Sequence, residues 1–198
     1  MTLLLAVGPL PGPIAAAAAP PVVLVGAGDI AECGNAGAVQ TAALLDAIPG
    51  TVFAAGDLAY PTGSASDFAD CFDPTWGRFR SRMIAAPGNH EYLTSDAAGF
   101  FDDLGAAAGP RGLGYYATDV GAWRIYVLNA NCGIVPCDEA SAQVAWLRAE
   151  PGSGAPGLRR GYLAPTPLQL RFARRRATDE HLLGRALSGR GGAGDQRA

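Results

Sequence analysis

Histidine is scarce in this chain, with only two among 198 residues, and the four cysteines include no pair with the tight spacing of a zinc knuckle. Both shortages weigh against a zinc-finger-like structural site. No excess of positive charge is present either. The formal net charge of −3 argues against a general nucleic-acid binder. No charged side chain occurs in Met1–Ala19, and Pro9, Pro11 and Pro13 interrupt that apolar stretch. It therefore lacks the run of about 20 unbroken apolar residues that a spanning helix needs. No internal repeat is visible, which excludes solenoid and propeller arrays.

What is there is an apolar chain, 49% hydrophobic, long enough to bury one core of ordinary size. The opening segment, residues 1–20, ends in an alanine run and reads as the later part of a secretory signal, although it lacks the positive start. An exported or cell-envelope location follows as the expectation. An even number of cysteines in an exported chain favours disulfides. Of the three possible pairings, Cys33 with Cys71 and Cys132 with Cys137 is the one expected. The second would close a small loop containing Gly133 and Pro136.

Short apolar runs alternate with helical patterns, the signature of repeated β-α units, so the fold class is α/β. Strands are expected at Val22–Val25, Thr51–Ala55, Met83–Ala86, Gly114–Thr118 and Trp123–Asn129. The last two are expected to form a hairpin. Helices are expected at Ala38–Ala47, Ser66–Arg80, Ser95–Leu104 and Glu139–Ala149.

The chemistry sits where the first three strands run out. There the chain reads Gly28-Asp29, Gly56-Asp57-Leu58-Ala59-Tyr60 and Gly88-Asn89-His90-Glu91. Open α/β sheets place their sites at the carboxyl ends of strands. A carboxylate directly after a glycine can reach into such a crevice, and hard cations prefer oxygen donors. Asp29 and Asp57 are such carboxylates, Tyr60 offers a phenol oxygen, and Asn89 and His90 offer an amide oxygen and an imidazole. Two cations held by that mixed set would generate a hydroxide at neutral pH and stabilise the attacking and leaving oxygens of phosphoryl transfer. A single Gly-Asp after a strand is an ordinary turn; the signal lies in all three segments in this order. His181 reads as a surface residue.

At these residues, over about Val22 to Glu150, the chain resembles the calcineurin-like metallophosphoesterases. Gly-Asp-Leu-Ala-Tyr is similar to their purple acid phosphatase branch in particular. The resemblance implies a partial four-layer α/β/β/α sandwich with mixed sheets. It implies a dinuclear centre of iron paired with zinc, manganese or a second iron, and a phosphate-ester substrate. In that pattern Asp29 and Tyr60 bind the first metal, Asp57 bridges both, Asn89 binds the second, and His90 contacts phosphate and helps protonate the leaving group. The family's later histidine turns have no counterpart after Glu150. The first metal keeps three of four protein ligands and the second keeps two of four, so activity is expected to be impaired.

The charge balance changes at the same place. Residues 1–150 carry 6 arginines and 15 acidic groups, a balance of −9; residues 151–198 carry 9 arginines and 3 acidic groups, a balance of +6. Leu163–Arg171, back-translated with permitted codons and read one base later, yields Trp-His-Gln-Pro-Arg-Phe-Ser-Ser, which is similar to a missing family turn. Residues 151–198 are therefore expected to be a frameshifted or disordered basic tail that packs poorly. A competing reading takes Gly26-Ala27-Gly28-Asp29-Ile30-Ala31 as a dinucleotide-binding fingerprint with Asp46 as ribose partner. A non-catalytic remnant that binds one metal or a phosphate is the third.

Overall fold

The computed structural model describes residues 21–150, 159–164 and 171–173. The leader expected over residues 1–20, residues 165–170 of the Leu163–Arg171 stretch, and His181 lie outside the described residues.

Three short apolar segments, β1 (Leu24–Ala27), β2 (Thr51–Ala55) and β3 (Met83–Ala86), form a parallel sheet in that order. A parallel sheet is covered on both faces, which suits continuous apolar runs. The sequence places β1 two residues too early. Pairing runs from Leu24 opposite Thr51 to Ala27 opposite Ala54, because Gly26 is a strand residue rather than a turn. A Cβ on Gly26 would lie 1.8 Å from the Phe53 carbonyl oxygen, so only glycine lets β1 lie this close to β2.

Side chains alternate across β2 and β3. Val52, Ala54, Met83 and Ala85 face a core shared with α1 (Ala36–Ala47) and with Phe68, Phe72, Trp76, Phe100 and Phe101. Phe53, Ala55, Ile84 and Ala86 face Ile125, Val127 and Leu163 of a second sheet. That second sheet has the order β4 (Tyr116–Val120), β5 (Trp123–Val127), β6 (Arg159–Leu163), β7 (Arg171–Ala173). β4 and β5 form the expected hairpin, turning at Gly121 with φ 59°. β5 and β6 are parallel, and β6 and β7 antiparallel. Tyr126, Leu128 and Ala164 form a third cluster with Val144, Trp146 and Leu147 of the later helix segment. The α/β class is thus as expected, with helices and two small sheets.

The helices depart from the sequence reading in instructive ways. α1 starts two residues earlier than expected because the Asn35 side chain caps it, accepting from the Gly37 N–H at 2.9 Å. The single helix expected over Ser66–Arg80 breaks into α2 (Ala65–Asp67), a wide turn over Phe68–Phe72 and a tight turn over Gly77–Arg82. Pro74 between the last two has no N–H to continue the ladder. Asp96 and Ala97, at φ 56° and 50°, postpone the next helix, so α3 spans only Ala98–Leu104. α4 spans Ala142–Ala149 because Ser141 takes the capping position, its oxygen accepting from the Val144 N–H.

Beyond residue 150 the described residues include the strand segment Arg159–Leu163. This segment pairs with β5, and the Leu163 side chain is fully buried in the core between the sheets. An unpaired β5 edge and an apolar residue in register with Val127 supply the reason. Both expected disulfides are present, Cys33–Cys71 and Cys132–Cys137. Among the described residues no helix is long and apolar enough to cross a membrane.

Candidate metal centre

The ends of β1 and β2 continue side by side past the sheet. Asp29, Ile30 and Ala31 donate their N–H groups to the carbonyls of Gly56, Asp57 and Leu58 at 3.1, 2.9 and 3.0 Å. This zipper brings two of the predicted ligands, Asp29 and Asp57, onto neighbouring turns. Both adopt left-handed backbone, φ 53° and 52°. Only glycine visits that region freely, and side chains held there cluster at functional sites.

Tyr60 joins the two carboxylates. Its hydroxyl donates to Asp29 Oδ1 at 2.7 Å and stands 3.4 Å from Asp57 Oδ2. Partial burial pushes the phenol pKa up, and the hydrogen bond to Asp29 and the charge of Asp57 push it further. The phenol proton is therefore kept between the two carboxylates.

The third turn closes on Asp57 from the other side. The His90 main-chain N–H donates to Asp57 Oδ1 at 3.0 Å. A Cβ on Gly88 would lie 2.2 Å from that same oxygen, so glycine is required there. The His90 ring packs on Tyr60 with centroids 4.4 Å apart, and its Nδ1–H donates to the Pro61 carbonyl at 2.7 Å. That bond assigns one nitrogen and leaves Nε2 for a partner outside the chain. Asn89 sits exposed one residue before His90. Asp29, Asp57, Tyr60 and His90 are thus linked by direct contacts, and Asn89 shares the turn of His90.

Glu91 is the residue that sequence reasoning missed. It closes the Gly-Asn-His-Glu segment, the only signal it gave, and it is 0% exposed. Its carboxylate accepts from the N–H groups of Asp57 at 3.0 Å, Leu58 at 2.7 Å, Ala59 at 3.3 Å and Gly88 at 2.6 Å. One side chain therefore ties the β2 turn to the β3 turn. Burial pushes the Glu91 carboxyl up, while the N–H donors of Gly88 and Leu58 favour its charged form. Four donors leave both oxygens acting only as acceptors, which is the ionised geometry.

Among the described residues no three His, Cys, Asp or Glu side chains gather as a metal-binding group. The predicted set draws two donors, Tyr60 and Asn89, from outside those residue types. The dinucleotide reading requires a helix opening directly on the glycine fingerprint. Here that stretch pairs with the β2 extension, α1 begins only at Ala36, and Asp46 is ion-paired with Arg78 at 2.6 Å. No family model matches the chain, and no curated protein matches it.

Proposed function

We propose that this chain is a metal-dependent phosphoesterase built on the partial four-layer α/β/β/α arrangement that its sequence resembles. The observation that carries the reading is the phenol of Tyr60, set between Asp29 and Asp57 while His90 closes on both Tyr60 and Asp57. A phenol oxygen gathered with two carboxylates makes a site that favours positive charge, and hard oxygen donors suit iron, manganese or zinc. Asp29, Asp57, Tyr60 and Asn89 would hold the ions. When bound, such ions acidify water and neutralise charge on a phosphate.

The chain's own residues do the rest. A water oxygen attacks phosphorus and gives up its proton to solvent, the ester P–O bond breaks, and the departing oxygen takes the Nε2 proton of His90 in its imidazolium form, which solvent then restores. The bond from Nδ1 to the Pro61 carbonyl holds the ring for that transfer. Glu91 keeps the turns in register from beneath. The family's later histidines are absent from the sequence, so the second ion is held weakly and turnover is impaired. The two disulfides and the apolar leader support a secreted or cell-envelope setting.

Loading the chain with ferric iron, and separately with manganese or zinc, tests this. Wild type should develop the visible phenolate-to-iron absorption, Tyr60→Phe should lose it, and Asp57→Asn should take up no metal. A wild-type chain that binds none of these ions, or Asp57→Asn with unchanged stoichiometry, overturns the reading. Tight binding of a nicotinamide cofactor instead would favour the dinucleotide alternative.

A further inference from the structure

Past the end of β5 the chain reads Leu128-Asn129-Ala130-Asn131, a segment whose sequence signals no chemistry of its own. Asn129 is fully buried and every polar atom of it is used. Its side-chain NH2 donates to the Tyr92 hydroxyl oxygen at 2.7 Å and to the Leu113 carbonyl at 3.2 Å. Its side-chain oxygen accepts from the main-chain and side-chain nitrogens of Asn131, both at 3.0 Å. Gln143 of α4 closes the main chain, accepting from Asn129 N–H at 2.7 Å and donating to its carbonyl at 3.0 Å. Asn131 in turn donates to the Pro87 carbonyl at 3.0 Å.

Pro87 and Tyr92 flank Gly88-Asn89-His90. The second sheet therefore grips the turn of the first sheet on both sides, with one amide hydrogen bond before it and one after. A buried polar network with all its members satisfied specifies one geometry, because any shift leaves a donor or acceptor unpaired.

We propose that Asn129 and Asn131 are positioning residues that set the Gly88–His90 turn against Asp57 and so govern how tightly the site holds a metal ion. Neither residue reaches the reacting atoms; both act through Tyr92 and Pro87. This proposal rests on the metal-site reading for its consequence, while the mechanical link to the turn stands apart from it.

Two mild substitutions in the full chain cut the grip. Tyr92→Phe removes only the oxygen that accepts from Asn129, and Asn131→Ala removes the donor to Pro87. Thr41→Val on α1, which removes the acceptor of the Trp76 indole N–H at 3.0 Å, serves as a control for general loss of stability. Amide resonances of Gly88 and His90 are followed by 15N NMR, and Mn(II) uptake by calorimetric titration. Each single variant should move both resonances. The double variant should bind Mn(II) about 10-fold more weakly, the scale for residues that orient metal ligands from behind. Thr41→Val should change neither readout.

Unmoved resonances together with wild-type Mn(II) affinity in the double variant, while Asp57→Asn loses the ion, overturn the positioning role and leave the metal site standing. If the wild type binds neither Mn(II) nor iron nor zinc, the metal reading falls and the resonances alone decide: shifted amides sustain the link, unmoved ones overturn it. Should the double variant fail to fold, the two single variants decide the same question by the same two readouts.

Discussion

Asp29 and Asp57 repeat one geometry: each stands two residues past its strand, each is left-handed, at φ 53° and 52°, and the Ile30 N–H binds the Asp57 carbonyl at 2.9 Å. Holding a side chain in such backbone costs of order 1 kcal/mol or more. The side-chain oxygens of Asp29 accept from Tyr60 alone among the described residues, so little folded-state bonding opposes the strain. Asp29→Gly is therefore expected to stabilise the chain by about 1 kcal/mol in urea unfolding while abolishing metal uptake. A variant both less stable and still metal-binding would remove the functional meaning of the strain.

Glu91 presents the opposite balance. Replacing it by glutamine puts an NH2 group against two of the four main-chain donors without changing side-chain size. The expected loss is roughly 3 kcal/mol, the scale for spoiling a buried, charge-assisted network. Urea midpoints measure it, and a loss below about 1 kcal/mol would mean that the carboxylate does not hold the turns together.

Acid sensitivity should trace partly to Asp67. Its carboxylate accepts from Thr62 N–H at 3.0 Å, Thr62 Oγ1 at 2.7 Å and Ser64 N–H at 3.1 Å. Burial alone would raise its pKa, but those bonds prevail and hold it below the ordinary 3.8. A carboxyl depressed on folding contributes stability that is present above the unfolded pKa and lost as pH falls through the folded one. The gap in melting temperature between wild type and Asp67→Asn should therefore be full at neutral pH and close as pH drops below about 4. A gap that stays constant down to strong acid would contradict this.

The two disulfides should differ in worth because they close loops of different length, 38 residues for Cys33–Cys71 and 5 for Cys132–Cys137. Chain entropy alone gives about 4 kcal/mol for the first and about 2 for the second. Serine double replacements, compared by denaturant unfolding, should rank in that order. Equal losses would show that native contacts around the short loop, where Cys137 Sγ lies 3.4 Å from the Asn129 carbonyl, outweigh loop length.

Local order was legible where a residue's own chemistry sets it. The runs Thr51–Ala55 and Met83–Ala86 are β2 and β3 to the residue, and the β4–β5 hairpin was readable from two apolar segments around a short turn. Pro74, which has no N–H, lies inside the Ser66–Arg80 stretch expected as one helix, and the chain there breaks into shorter turns. Gly26 misled: a glycine that permits close strand pairing and one that makes a turn are the same letter.

By itself the sequence determined the α/β class and the strand-end positions of Asp29, Asp57, Tyr60, Asn89 and His90, because apolar periodicity and glycine-acid turns are local signals; of the three disulfide pairings it favoured one, and the fold decided it. Tertiary structure alone decided that Glu91 is a buried staple, that Asn129 and Asn131 grip the Gly88–His90 turn, and that Leu163 is core. Those roles arise from partners some 30 or more residues away in the chain, and hydrogen bonding across such distances leaves no mark on the residues that flank it.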